Sequence, residues 1–280
     1  MALKLNHTTI KLSAGTIAHI WRPSLTPYRA VIVLQHGYAE YAERYITSHH
    51  QIVVHLVNAG YAVYAMDFWG HGGSPGTRGI VYIGKAVKDH QELRQVARKE
   101  NPGLPIILYG HSLGGLTIAR STVADPDDVN GVTMTGPALA DALPFGGRGA
   151  VGVAATLMSK RSIPRKADVE GLTRDKSEIQ KYWDDPLFHK EPISFLLAAT
   201  ALDLAQTVWT GMNDWTVPTL LLHGNADTYC DWKASKKFVD GITSKDKTFG
   251  VYEEGRHELL HGLEGDAVLK RMMEWIASHN

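Results

Sequence analysis

Gly110-His111-Ser112-Leu113-Gly114 is the segment of this 280-residue chain whose residue types and spacing speak most directly of chemistry. It follows the apolar run Ile106-Ile107-Leu108-Tyr109 and precedes the helix-forming stretch Leu116-Thr117-Ile118-Ala119-Arg120. G-x-S-x-G between a strand and a helix is a nucleophile elbow. Its glycines allow a turn too tight for Cβ atoms, and its serine sits in a strained backbone conformation with the hydroxyl pushed outward. The helix behind it turns free N–H groups toward any negative charge that develops there. The same letters occur in ordinary strand-to-helix turns, so the pentapeptide alone is a weak signal.

A serine hydroxyl is a poor nucleophile at neutral pH and needs a base, and the base needs an acid to fix its tautomer. Behind such an elbow the acid and then the histidine follow in chain order. Thr219-Leu220-Leu221-Leu222-His223 reads as a buried strand, and Gly224-Asn225-Ala226-Asp227 leaves it, so Asp227 lies past a strand end. Lys247–Tyr252 reads as the next strand, and Glu253-Glu254-Gly255-Arg256-His257 leaves it. Ligands of open α/β sheets bind at the carboxyl ends of the strands, where Ser112, Asp227 and His257 all fall. Asp231 is a second candidate acid, although its place before a helix suits an N-cap. His111 and His223 flank strand ends and suit local packing, while His36 and His71 precede Ser112 and break the order.

His257-Glu258-Leu259-Leu260-His261 also spells H-E-x-x-H, a zinc signature when carried on a helix. Gly255 and Gly262 bracket it so closely that only about one helical turn fits, so no metal is expected, and His261 is expected at the surface or behind the site. Acyl transfer needs donors aimed at the oxyanion. The N–H of Leu113 is one candidate. The N–H of Tyr38, after the strand Ala30–Gln35 and the close-approach residue Gly37, is the other.

Alternation along the chain sets the frame. Residues 3–22 read as a hairpin turning at Ser13-Ala14-Gly15. Strands over 30–35, 61–66, 105–109 and 130–135 alternate with helices over 44–59, 80–100 and 113–124, then strand 217–223, helix 231–241, strand 247–252 and helix 264–277. That rhythm predicts βαβ units and a mostly parallel sheet with helices on both faces. The division expected is a core over 1–137 and 209–280, interrupted after the sixth strand by a cap insertion over 138–208 that shapes the pocket. Within the insertion, 149–158 is almost wholly apolar and has basic flanks at Arg148, Lys160, Arg161, Arg165 and Lys166. This pattern suits shallow insertion among lipid headgroups, or equally a buried cap helix.

These segments together resemble the monoacylglycerol lipase branch of the α/β-hydrolases, over nearly the whole chain. The resemblance is carried by His36-Gly37-Tyr38-Ala39-Glu40 with Arg44-Tyr45, by Asp67-Phe68-Trp69-Gly70-His71-Gly72-Gly73-Ser74, and by the elbow. Asp185-Pro186-Leu187 and His223-Gly224-Asn225-Ala226-Asp227 complete the set. It implies an α/β-hydrolase fold and an esterase releasing fatty acid and glycerol, with Ser112, Asp227 and His257 on the triad and Tyr38 and Leu113 on the oxyanion donors. No cofactor is implied. Tyr38 and Leu113 differ from the residues of many animal relatives, which leaves the backbone donors intact but bears on the acyl channel. Lysophospholipase, general carboxylesterase, peptidase, lactonase and slow-turnover binding protein remain rival readings of the scaffold.

Composition agrees. Lys+Arg and Asp+Glu each number 29, so the formal net charge is zero and nucleic acid is not an expected partner. The single cysteine, Cys230, excludes an internal disulfide and lies three residues from Asp227, either beside the site or as an inert buried thiol. No signal peptide or stretch of about 20 apolar residues is visible. The expectation is a cytoplasmic enzyme, monomer or homodimer, acting on a small lipid ester. The cap would give peripheral contact with membranes or lipid droplets.

Overall fold

The computed structural model describes residues 5–141, 156–164 and 168–280. Eight strands form one sheet: β1 (Asn6–Lys11), β2 (Ile17–Arg22), β3 (Val31–Gln35), β4 (Ala62–Met66), β5 (Ile106–His111), β6 (Gly131–Thr135), β7 (Thr219–Gly224) and β8 (Lys247–Tyr252), in the order β1-β2-β4-β3-β5-β6-β7-β8. The hairpin β1–β2 joins β4 antiparallel, and β4, β3, β5, β6, β7 and β8 run parallel. This is the predicted α/β-hydrolase architecture.

The central strands are continuous apolar runs because both sheet faces are covered. Period-two alternation splits β3. Val31 and Val33 join one core with Leu93, Leu116, Ile118, Val208 and Phe238, contributed by the helices Ile83–Glu100, Leu113–Ala124, Phe195–Gly211 and Trp232–Gly241. Ile32 and Leu34 face the other way, with Ile52, Leu56, Met272 and Ile276 from the helices Ile52–Asn58 and Gly265–Ala277. Among the described residues no helix is long and apolar enough to cross a membrane.

One expectation changes. The helix expected over 44–59 is broken into Arg44–Thr47 and Ile52–Asn58, because His49, His50 and Gln51 take left-handed backbone angles. The break turns His49 inward, where its ring bonds Glu40 Oε2 at 2.6 Å and its N–H donates to His261 Nε2 at 2.7 Å. A regular helix could not deliver both. The helix Phe195–Gly211 runs through position 208, and its Ala205, Val208 and Trp209 belong to the core. Of the apolar segment 149–158, residues 149–155 lie outside the described residues, as do Arg148, Arg165 and Lys166. Leu157 is 76% and Met158 39% exposed.

Among the buried histidines, four are held far below their ordinary range: His71, His90, His111 and His261. Burial pushes His71, His90 and His261 down to about 3 and His111 to about 4, the last also opposed by His257. An unfolded imidazole titrates near 6.5. Below that the unfolded chain takes up protons that the folded one refuses, so stability is complete above pH 6.5 and falls toward pH 4. Glu258 works the other way: burial, then Glu40, raise it from 4.5 to about 7, so its folded form gains stability as pH drops through that range. Each lagging imidazole is worth up to about 1.4 kcal/mol per pH unit. With four histidines against one carboxyl, thermal melts from pH 7 to pH 5 should show Tm falling steadily; a flat profile would mean these rings reach water.

Candidate active site

All the parallel strands deliver their carboxyl ends to one edge of the sheet. β5 ends at His111, and Ser112 follows with φ +53° and ψ −118°, a strained geometry for a residue with a Cβ and the one an elbow needs. The Ser112 N–H donates to Thr135 O at 3.1 Å, and its carbonyl accepts from Leu116 and Ala138 at 3.2 and 3.0 Å. The approach is too close for side chains. A Cβ on Gly114 would lie inside the Gln35 and His36 carbonyls, and one on Gly37 would sit 3.3 Å from Ser112 Cβ. The loop carrying Tyr38 is thereby pressed against Ser112, and its Gly37 N–H is tied to Glu40 Oε1 at 2.7 Å.

The structure brings the three sequence-predicted side chains together. His257 Nε2 lies 2.8 Å from Ser112 Oγ, and His257 Nδ1 lies 2.7 Å from Asp227 Oδ2. An ionised carboxylate only accepts, so Nδ1 carries the proton and Nε2 presents its lone pair to the serine hydroxyl. Asp227 is fully enclosed and fully bonded. Oδ2 also accepts from His223 Nε2 at 2.9 Å, and Oδ1 accepts the N–H groups of Tyr229 and Cys230 at 2.7 and 3.0 Å. Burial raises its pKa, but His257 and His223 outweigh that and hold the carboxyl well below the usual range.

His223 is the residue that the sequence undervalued. It sits at the end of β7, and its other nitrogen accepts from Ser235 Oγ at 2.9 Å, so it braces Asp227 from behind. Asp231 does not enter; it caps the helix Trp232–Gly241 through Lys233 N at 2.9 Å. His111 bonds Thr135 O at 3.0 Å and its ring centre lies 4.9 Å from that of His257. Cys230 lies beside the site rather than away from it, its thiol bonded to Ser112; burial, then Asp227, push the thiol well above its ordinary value, which keeps it neutral.

The H-E-x-x-H segment forms only the short 3-10 turn Leu259–His261. Both nitrogens of His257 are engaged by Ser112 and Asp227, and His261 is buried behind the site, the second of its two expected places, with Tyr182, Glu258 and His49 as partners. The two imidazoles face different partners because one turn cannot align them. Cap residues hold the His257 loop instead: Glu258 N–H donates to Leu172 O at 2.8 Å, and Arg256 Nη1 to Thr173 O at 3.0 Å and to Glu170 O. The Tyr38 ring turns toward the cap, its hydroxyl 3.3 Å from the carbonyls of Gly79 and Pro192.

A family model described as "Serine aminopeptidase, S33" (Hydrolase_4) matches residues 26–264. The chain belongs to this family. Within it, the chain is similar to the monoacylglycerol lipase of Mycolicibacterium smegmatis, 31% identical over 93% of this chain and 92% of that protein. It is similar to the monoglyceride lipase of Mus musculus, 31% identical over 92% of this chain and 85% of that one. Among solved structures, the monoacylglycerol lipase of Paleococcus ferrophilus superposes with a TM-score of 0.81 at 30% identity, over 99% of this chain and 100% of that chain. The protein is thus a monoacylglycerol lipase-like serine hydrolase of this family, an esterase scaffold.

Arg256 offers a test of how the family scaffold positions His257. Arg256→Ala removes the side-chain ties to Glu170 and Thr173 and leaves the triad side chains themselves unchanged in chemistry. A base displaced by a fraction of an ångström costs rate, so kcat should fall about 10-fold to 100-fold with little change in Tm. Ester-hydrolysis kinetics beside a melt would check this; an unchanged kcat would mean that backbone contacts alone hold the loop.

Proposed function

We propose that this protein hydrolyses monoacylglycerol to fatty acid and glycerol, with Ser112 as nucleophile, His257 as base and Asp227 as its orienting acid. The observation that carries the reading is the unbroken chain Ser112–His257–Asp227, at 2.8 and 2.7 Å, in a chain similar over nearly its full length to monoacylglycerol lipases. His257 takes the Ser112 proton as Oγ attacks the ester carbonyl. The N–H groups of Tyr38 and Leu113 bind the oxyanion. The imidazolium, stabilised by buried Asp227, protonates the departing glycerol oxygen. Water deprotonated by His257 then attacks the acyl-enzyme and frees the fatty acid. No step uses a metal or an organic cofactor.

Residues 138–208 are proposed as the cap over this site, and its exposed Leu157 as a contact with a lipid surface from which the substrate enters. Liposome flotation of Leu157→Asp checks the second point: retention equal to the parent protein would remove the docking role.

Fatty-acid release should be measured from a long-chain monoacylglycerol and a lysophospholipid of the same chain, and amine release from a peptide amide, with Ser112→Ala as the blank. Turnover of the monoacylglycerol is expected to dominate, and Ser112→Ala should lower it about 10³-fold or more at unchanged Tm. Preference for the lysophospholipid or the amide would keep the chemistry and overturn the substrate.

A further inference from the structure

The edge of the sheet holds a second group of imidazoles that hydrolysis does not use. In the antiparallel register of β1 and β2, His7 stands opposite Trp21, and His19 lies two residues before Trp21 on the same face. The three rings stack, with centroids 5.0 to 5.5 Å apart. His7 Nε2 comes within 3.1 Å of His19 Nδ1. Glu43, the residue before the helix Arg44–Thr47, completes the group: one ligand atom from each of His7, His19 and Glu43 lies within 4.8 Å of the others.

Three details suit a metal. Ligand nitrogens about 3.3 Å apart are what tetrahedral Zn–N bonds of about 2.0–2.1 Å require, close to the spacing between the two imidazoles. His19 turns its other nitrogen onto Asp67 Oδ2 at 3.2 Å, which fixes the tautomer with the Nδ1 lone pair facing His7 and Glu43. A carboxylate behind a ligating histidine is the usual arrangement that orients the ring and raises its basicity. Asp67 is itself anchored, accepting from Ala42 N at 2.8 Å and Gly73 N at 2.7 Å. His19 is buried while His7 and Glu43 are exposed, so an ion can enter from solvent and keep a water in the fourth position.

We propose that His7, His19 and Glu43 bind a zinc ion that clamps the edge strand β1 onto the loop carrying Tyr38 and Glu43. The ion sits apart from Ser112, His257 and Asp227 and takes no part in hydrolysis. Through Asp67, whose carboxylate holds Ala42 and Gly73, the clamp would also stiffen the loops after β3 and β4.

The test uses the untagged, metal-stripped full chain near pH 7.5, titrated with zinc by calorimetry and melted with and without the ion. One zinc per chain is expected, with a rise in Tm. His7→Ala and Glu43→Gln lie on the surface and keep the fold. Each should lower the zinc affinity by about 100-fold or more, beyond the 10-fold to 100-fold that an outer partner is worth, and should abolish the rise in Tm. Cys230→Ser, in the separate group Asp227, Cys230 and His257, should bind zinc as the parent does. Cobalt(II) in place of zinc should give visible d–d absorption in the parent and lose it in His7→Ala. The proposal falls if the parent binds no zinc, or if zinc binding and the rise in Tm survive in His7→Ala.

Discussion

The molecule is organised around a point where two backbones meet with no room between them. The parallel register sets Gln35 of β3 beside Gly110 of β5, so the loop after β3 and the helix after β5 emerge together. Gly114 lies against the Gln35 and His36 carbonyls, and Gly37 lies against Ser112. This contact holds Ser112 at its positive φ, and strain of that kind persists only where the surroundings over-determine it. It also presses the Tyr38 loop against Ser112.

Asp227 is the electrostatic counterpart of that steric constraint. A buried carboxylate is tolerated only when its acceptor sites are filled, and here two imidazoles and two backbone N–H groups fill them. The filling comes from neighbours in the sheet: His223 from the end of β7, and His257 from the loop after β8, which pairs with β7. The cap adds the remaining restraint, since the backbone of Leu172 and Thr173 holds Glu258 and Arg256 on either side of His257. Site and cap therefore share hydrogen bonds rather than merely facing each other.

Behind the site, Glu40, His49, Glu258, His261 and Tyr182 form a buried polar cluster whose partners come from loops far apart in the chain. It explains the break in the helix expected over 44–59: the chain gives up helical hydrogen bonds at His49–Gln51 so that His49 can satisfy Glu40 and His261. A local period of hydrophobicity cannot announce a break whose reason lies some 200 residues away in the chain.

Sequence alone determined what depends on neighbours in the chain. The strand–turn–helix context of Ser112, the alternation that makes a parallel sheet, and the order Ser112, Asp227, His257 past three strand ends are all local patterns, and periodicity and turn chemistry act over a few residues. The full-length resemblance joined them into one family. Tertiary structure decided what depends on distance. It gave His257 two partners from different strands, made His223 a brace for Asp227, settled His261 in the buried cluster behind the site rather than at the surface, the two places open to it, and drew His7, His19 and Glu43 to one corner. Side chains remote in sequence meet only when the sheet order is fixed, and their pKa values and bonding follow from the burial that this order creates.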